Sequence, residues 1–162
     1  MTNLLEKKNV IKVKSLLKKF DKNLKLIVLD QTARTAKEAA NSLNTLEGAI
    51  IKSLLFKNEL LNDFYLCLVS GDKYVSVSKL STLIGANIIK ASANECKKFT
   101  GYSIGGVAPI GHINKPKQIF IDENLNKYDQ IYAAAGHPYV VFGIDFNKLC
   151  LITNGEINKI VQ

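Results

Sequence analysis

The sequence predicts one α/β domain built on a mixed sheet, and three observations carry that expectation. Segments with apolar residues at helical spacing alternate with short runs rich in Val, Ile, Leu, Phe and Tyr. Several of those runs are separated only by hairpin-length loops, which favours antiparallel neighbours over a doubly wound parallel sheet. No repeat, linker or low-complexity stretch divides the 162 residues, a length that suits a single core.

Taken in order, Val10, Val13, Leu16, Leu17 and Phe20 recur on one helical face, so residues 4–20 should form an amphipathic helix with lysines outward. Residues 24–29 read as a short strand. Thr35 and Glu38 have the spacing of a capping box, opening a helix through Ala39, Ala40 and Leu43. Residues 49–56 and 64–69 flank a polar stretch and predict a hairpin; Gly71-Asp72 predicts a turn into a strand over 74–77. A helix over 78–84 should stop at Gly85. A brief strand at 88–89 precedes a second capping box, Ser92 to Glu95. Strands follow at 118–121, 131–135 and 139–144, with a turn or short helix at Asp122-Glu123-Asn124. A helix over 145–151 and a strand over 157–161 end the pattern.

Composition narrows the function classes. Hydrophobic residues make up 47% and charged residues 22%, as in a soluble globular protein. No apolar run approaches a membrane span, and the lysine-rich start lacks the apolar centre of a signal peptide, so a cytoplasmic protein without a membrane partner is expected. Cys67, Cys96 and Cys150 are far apart in apolar or helical surroundings, which suits small buried hydrophobes. Without CxxC, HExxH or a histidine pair, neither a metal nor another cofactor is expected. The net charge is +8, and most of it lies in residues 1–25, where Lys7, Lys8, Lys12, Lys14, Lys18, Lys19, Lys22 and Lys25 face only Glu6 and Asp21. Such a helix either attracts a polyanion such as RNA or is simply solvated.

The segment Tyr102 to His112 is the most unusual in the chain: Gly105, Gly106, Pro109, Gly111 and His112 with almost no charge. It reads as a tight turn, or as a loop presenting bare N–H groups to an anion or carbonyl oxygen. Lys52 stands in an otherwise apolar strand, where it must either face outward or meet an anionic or carbonyl partner. His137 follows Ala133-Ala134-Ala135-Gly136, small residues that leave room for a ligand or merely for a turn; His112 is similarly open. The nucleophile elbow, the phosphate loop and the dinucleotide fingerprint are all absent. What remains suits oxyanion stabilisation and positioning of an ester.

Five segments in order carry a resemblance: Thr32 to Ala40, Ile51 to Phe56, Thr100 to His112, Ile121-Asp122-Glu123, and Ala133 to Pro138. Together they resemble the YbaK/prolyl-tRNA synthetase-associated editing domains from about Leu4 to Ile160. The resemblance implies a single domain with a mostly antiparallel, barrel-like sheet surrounded by helices. It also implies a freestanding deacylase that hydrolyses mischarged aminoacyl-tRNA without a metal or covalent intermediate, with tRNA and a prolyl-tRNA synthetase as partners. Lys52 matches the family's strand lysine, and Gly105, Gly106, Val107, Ala108 and Pro109 match its Gly-x-x-x-Pro loop; these would be the catalytic set. Gly101, Ile104, Gly111, His112, Ala135, Gly136 and His137 would border the aminoacyl group. The cysteine-specific branch carries Ser-Gly-Gly-Lys-Arg-Gly where this chain has Ala134-Ala135-Gly136-His137-Pro138-Tyr139. The alanine-specific branch continues past its His-Pro with Asn and Thr, where this chain has Tyr139 to Phe142. The region is most similar to the branch called ProXp-x, implying tRNA for proline carrying a small non-cognate amino acid: 2-aminobutyrate, Ala or Cys. The alternative is a non-catalytic tRNA- or synthetase-binding module of the same fold.

Overall fold

The computed structural model describes residues 3–30 and 34–162. Thr32 and Ala33, in the first of the five segments, lie outside the described residues.

The N-terminal helix is shorter than its periodicity suggests. A 3-10 turn at Leu4–Glu6 is followed by Lys7 in an extended conformation, and α1 then runs Lys8–Phe20. Val10, Val13 and Leu17 are fully buried; Lys8, Lys14, Lys18 and Lys19 face out while Lys12 lies over the Tyr102 ring, and Lys18 and Lys19 sit in the last turn, where cations oppose the helix dipole. A short strand β1 (Leu26–Val28) leads to α2 (Ala36–Leu43). Thr35 caps α2 by accepting the Glu38 N–H at 3.1 Å. The reciprocal half of that capping box is not made among the described residues, where Glu38 Oε2 is buried without a partner.

The hairpin of β2 (Ile51–Asn58) and β3 (Phe64–Ser70) forms as expected, with Lys52 opposite Val69. Between β3 and α3 (Val77–Ile84), the strand expected at 74–77 reduces to one bridge, Val75 to Val161. Ser76 caps α3 and Gly85 ends it at φ +79°. Next come β4 (Ile88–Lys90) and α4 (Ala93–Thr100), whose Ser92–Glu95 capping box is complete. Then follow β5 (Gln118–Asp122), a 3-10 turn at Glu123–Lys127 capped by Asp122, β6 (Ile131–His137), β7 (Val140–Ile144), α5 (Phe146–Thr153) and β8 (Glu156–Asn158). The last strand thus falls earlier than the expected 157–161, because Val161 turns back to Val75.

The sheet is mixed and mostly antiparallel, but it does not close. A five-stranded sheet, β4-β2-β3-β5-β8, has its parallel pairs at β3–β5 and β5–β8; a three-stranded antiparallel sheet is ordered β1-β7-β6. The barrel-like expectation is corrected to two sheets that meet at a single parallel bridge, Ile50 to Tyr132. Beside that bridge they diverge, with no further ladder pairing between them among the described residues.

Strand β3 reads as a near-continuous apolar run because it is covered on both faces. Leu66 and Leu68 enter the larger core with Val10, Val13, Leu17, Ile131 and Phe142, whereas Tyr65, Cys67 and Val69 enter a smaller core with Leu80, Phe120 and Ile160. This is the two-residue period of a strand dividing its side chains between opposite faces. Burial of Cys67 pushes its thiol pKa up to about 12, leaving it an inert apolar group.

Candidate active site

A cavity of about 380 Å³ opens where the two sheets diverge. Its floor comes from β2 (Ile51 to Leu55) and from Tyr132, Ala133, Ala134 and Val141 of the β6–β7 hairpin. Arg34, Thr35 and Ala36 at the start of α2 wall one side, Lys90, Ala91 and Cys96 another, and Ile104, Gly105 and Val107 of the glycine-rich segment close over it.

Lys52 faces this cavity rather than bulk water. Its ammonium donates to the Lys73 carbonyl and lies 4.7 Å from the centroid of the Tyr74 ring. Partial burial lowers its pKa below the usual lysine value; the Glu47, Asp72 and Asp122 carboxylates act in the opposite direction, and Lys90 adds to the lowering. With Lys90 and Arg34 also on the walls and Glu47 the acidic residue among them, the cavity favours an anionic ligand. Beside Lys52, the buried hydroxyl of Ser53 has no hydrogen-bond partner among the described residues.

The glycine-rich segment is built to approach the hairpin closely. A Cβ on Gly106 would stand 3.0 Å from His137 N and 3.1 Å from His137 Cα, so only glycine lets these two backbones lie so near. Gly105 takes φ +89°. The Gly106 N–H turns back to Ser103 O at 2.9 Å, whereas those of Gly105 and Val107 find no acceptor among the described residues. Backbone amides on a cavity wall are the kind of donor that a developing oxyanion requires.

The remaining expected site residues support this wall from behind. Ala108 and Pro109 are buried and do not line the cavity. Tyr102, fully buried, donates its hydroxyl to Ile110 O at 2.8 Å and Gly111 O at 3.1 Å. His112 Nε2 pairs with Ala108 O at 2.7 Å, making His112 a strut across the loop; burial lowers its pKa, helped by nearby Lys12. Gly101 ends α4 at φ +86°, and Gly111 takes φ +76° beneath α1. Ala135 is fully buried in the core, and Gly136, at the β6 bulge with φ +90°, touches Asn9 of α1. His137 accepts the Tyr139 N–H at 3.1 Å within the hairpin turn, with its pKa lowered by burial and then by Lys7. The structure therefore brings Lys52, Ile104, Gly105 and Val107 to one cavity and leaves Gly101, Gly106, Ala108, Pro109, Gly111, His112, Ala135, Gly136 and His137 outside its lining.

Sequence reasoning missed Tyr74, Lys90, Ser53 and Arg34. The Thr35 cap could have signalled the start of α2, but no local pattern marks Tyr74 or Lys90, whose placement depends on pairings distant in the chain. Among the described residues, no group of three His, Cys, Asp or Glu side chains is placed to hold a metal ion, and no helix is long and apolar enough to cross a membrane.

Comparison with known proteins agrees with this geometry. A solved structure described as a candidate trans-editing enzyme for prolyl tRNA synthetase superposes with a TM-score of 0.88 at 32% identity, covering 96% of this chain and 98% of that one. The uncharacterised protein YwhH of Bacillus subtilis is 28% identical over 107 residues, covering 66% of this chain and 67% of YwhH. A proline–tRNA ligase of Caldicellulosiruptor saccharolyticus is 31% identical over 85 residues, which are 52% of this chain but only 14% of the ligase. Residues 30–150, from before α2 into α5, match the family described as aminoacyl-tRNA editing domain. With Lys52, the glycine-rich wall and the β6–β7 hairpin all inside that span, the chain belongs to the aminoacyl-tRNA editing domain family.

Proposed function

We propose that this protein is a trans-editing aminoacyl-tRNA deacylase that hydrolyses the ester of tRNA for proline carrying a small non-cognate amino acid. The observation that carries the reading is a cavity with an ammonium on one wall, Lys52, and on another the N–H groups of Gly105 and Val107, which meet no acceptor among the described residues. The ester carbonyl oxygen would accept from those amides as it gains negative charge. Lys52 would hold the terminal nucleotide through a ribose or phosphate oxygen. A water oxygen then adds to the carbonyl carbon and the ribose oxygen leaves with a proton, releasing a free amino acid and a tRNA with its hydroxyl restored.

The apolar floor of Ala133, Ala134 and Val141 supports a small aliphatic side chain. The solved trans-editing candidate and the similarity to proline–tRNA ligases favour tRNA for proline and a synthetase as partners. The basic face of α1 supports a second reading, a module that retains tRNA without cutting it.

A deacylation panel separates the two. With tRNA for proline charged with 2-aminobutyrate, Ala, Cys, Ser or Thr, the protein should release the smaller aliphatic residues fastest. Lys52→Ala should lower kcat/KM about 100-fold, as expected for loss of one preorganised charged contact. RNA retention with no release of any amino acid would establish the binding module instead. Full activity in Lys52→Ala would remove the role given to Lys52.

A further inference from the structure

Tyr74 is exposed, apolar and rigidly placed, a combination that the cavity chemistry described above does not use. Its relative exposure is 71%, yet it lies on the cavity lining. The backbone around it is pinned: its carbonyl accepts the Gln162 N–H at 2.9 Å, and the next residue, Val75, bridges to Val161. The Lys52 ammonium sits over the ring at 4.7 Å from its centroid, which occupies one face and leaves the other to solvent. Ile104 of the glycine-rich segment is also a cavity residue and 60% exposed. A tyrosine held this firmly and still wet is a flat apolar platform without a partner.

The geometry points to Tyr74 as a stacking platform for an unpaired nucleobase, the terminal base of the RNA 3′ end, at the mouth of the cavity. The assignment rests on the deacylase reading and extends it to the recognition of the terminal nucleoside. An unpaired base is flat, stacks on aromatic rings whatever its identity, and can do so without hydrogen-bond readout. With the base on the outer face of the ring and the ammonium on the inner face, the attached ribose lies at the entrance, and its ester can pass inward past Lys52 towards Gly105 and Val107. The ring is thus a binding residue for the nucleoside, while the small floor residues select the amino acid.

A double-mutant cycle tests this with uncharged RNA. The ligands are a hairpin carrying the single-stranded 3′ end of the tRNA and the same hairpin with its last base removed, leaving an abasic ribose. The proteins are native, Tyr74→Phe and Tyr74→Ala. Native protein and Tyr74→Phe should lose about 5- to 150-fold in affinity when the base is removed, the range covered by stacking one base on an aromatic ring. Tyr74→Ala should bind the intact hairpin more weakly by a similar factor and should not distinguish the two RNAs. Thermal melting should be unchanged, since an exposed ring adds little to the core. If Tyr74→Ala discriminates the two hairpins as native protein does, or native protein does not discriminate them, the stacking role is overturned while deacylation of charged tRNA can still stand. If native protein binds neither hairpin and releases no amino acid, the proposed function falls and the platform with it.

Discussion

The buried carboxylate of Asp122 accepts the backbone N–H of Ser70 at 3.0 Å, and through that bond the end of one strand fixes the turn that holds Lys52. Ser70 passes the constraint on. Its hydroxyl donates to Gly48 O at 2.5 Å, and its carbonyl accepts the Lys73 N–H at 2.9 Å. The carbonyl of that same Lys73 receives the Lys52 ammonium. Asp122 also caps the following 3-10 turn through Asn124 N at 2.9 Å. Asp122, where the sequence suggested a turn or short helix, thus both caps that turn and anchors the turn whose carbonyl receives the cavity lysine.

Replacing Asp122 with Ala strands the buried Ser70 N–H and should destabilise the fold by about 2–3 kcal/mol. For a chain of this size that is roughly 4–12 °C in Tm. Asp122→Asn keeps one oxygen for Ser70 and should recover most of the loss. At temperatures where both variants are folded, kcat/KM should fall in Asp122→Ala and return in Asp122→Asn. Melting curves paired with deacylation kinetics check this, and unaltered kinetics in folded Asp122→Ala would contradict the positioning role.

Gly106→Ala separates loop placement from stability. The new Cβ would meet backbone atoms of Gly136 and His137, which cannot rotate away, so the segment must move outward by a few tenths of an ångström. The overpacking cost is modest, about 1–3 kcal/mol. The movement shifts the adjoining Gly105 and Val107 donors, however, so kcat/KM should fall well beyond the change in Tm. Gly85→Ala is the control. At φ +79° it is also strained, but no atom lies within 4 Å of its added Cβ and it is outside the cavity lining, so it should lose stability and keep activity.

His112 gives the fold a pH dependence of known sign. Burial keeps its imidazole neutral below the ordinary value of 6.5, with Nε2 oriented to donate to Ala108 O. The unfolded chain takes up a proton near 6.5, whereas the folded one resists until a lower pH, so the unfolded state binds more protons in between. The contribution to stability is therefore fully present above about pH 6.5 and is lost as pH falls towards the folded-state pKa. Native protein should lose Tm more steeply than His112→Gln between pH 7 and 5. His137 shifts in the same direction but remains in both proteins, so the difference isolates His112. Parallel curves would show that His112 is not held neutral.

Features that depend on near neighbours in the chain were legible in the sequence. The apolar stripe Val10, Val13 and Leu17, the reciprocal Ser92–Glu95 cap, the Gly85 stop and the β2–β3 hairpin each rest on contacts within one helix, one turn or one loop. The chemical oddity of Lys52 was equally plain, because a lysine among Ile51, Leu54 and Leu55 must either face outward or meet a partner. Which partner it meets is a long-range matter. The sheets had to meet at Ile50 and Tyr132 and then part before Lys52 faced a cavity instead of water. The pairing of Val75 with Val161 joins residues far apart in sequence; it replaces an expected strand, shortens another and holds Tyr74 at the rim. The histidines show the same division. Their types and neighbours were readable, but His112 became a strut only because Ala108 O folded back to within 2.7 Å of it. Local propensity determined the elements of this protein; the cavity arose from where distant backbones could approach, which glycine permitted at Gly106.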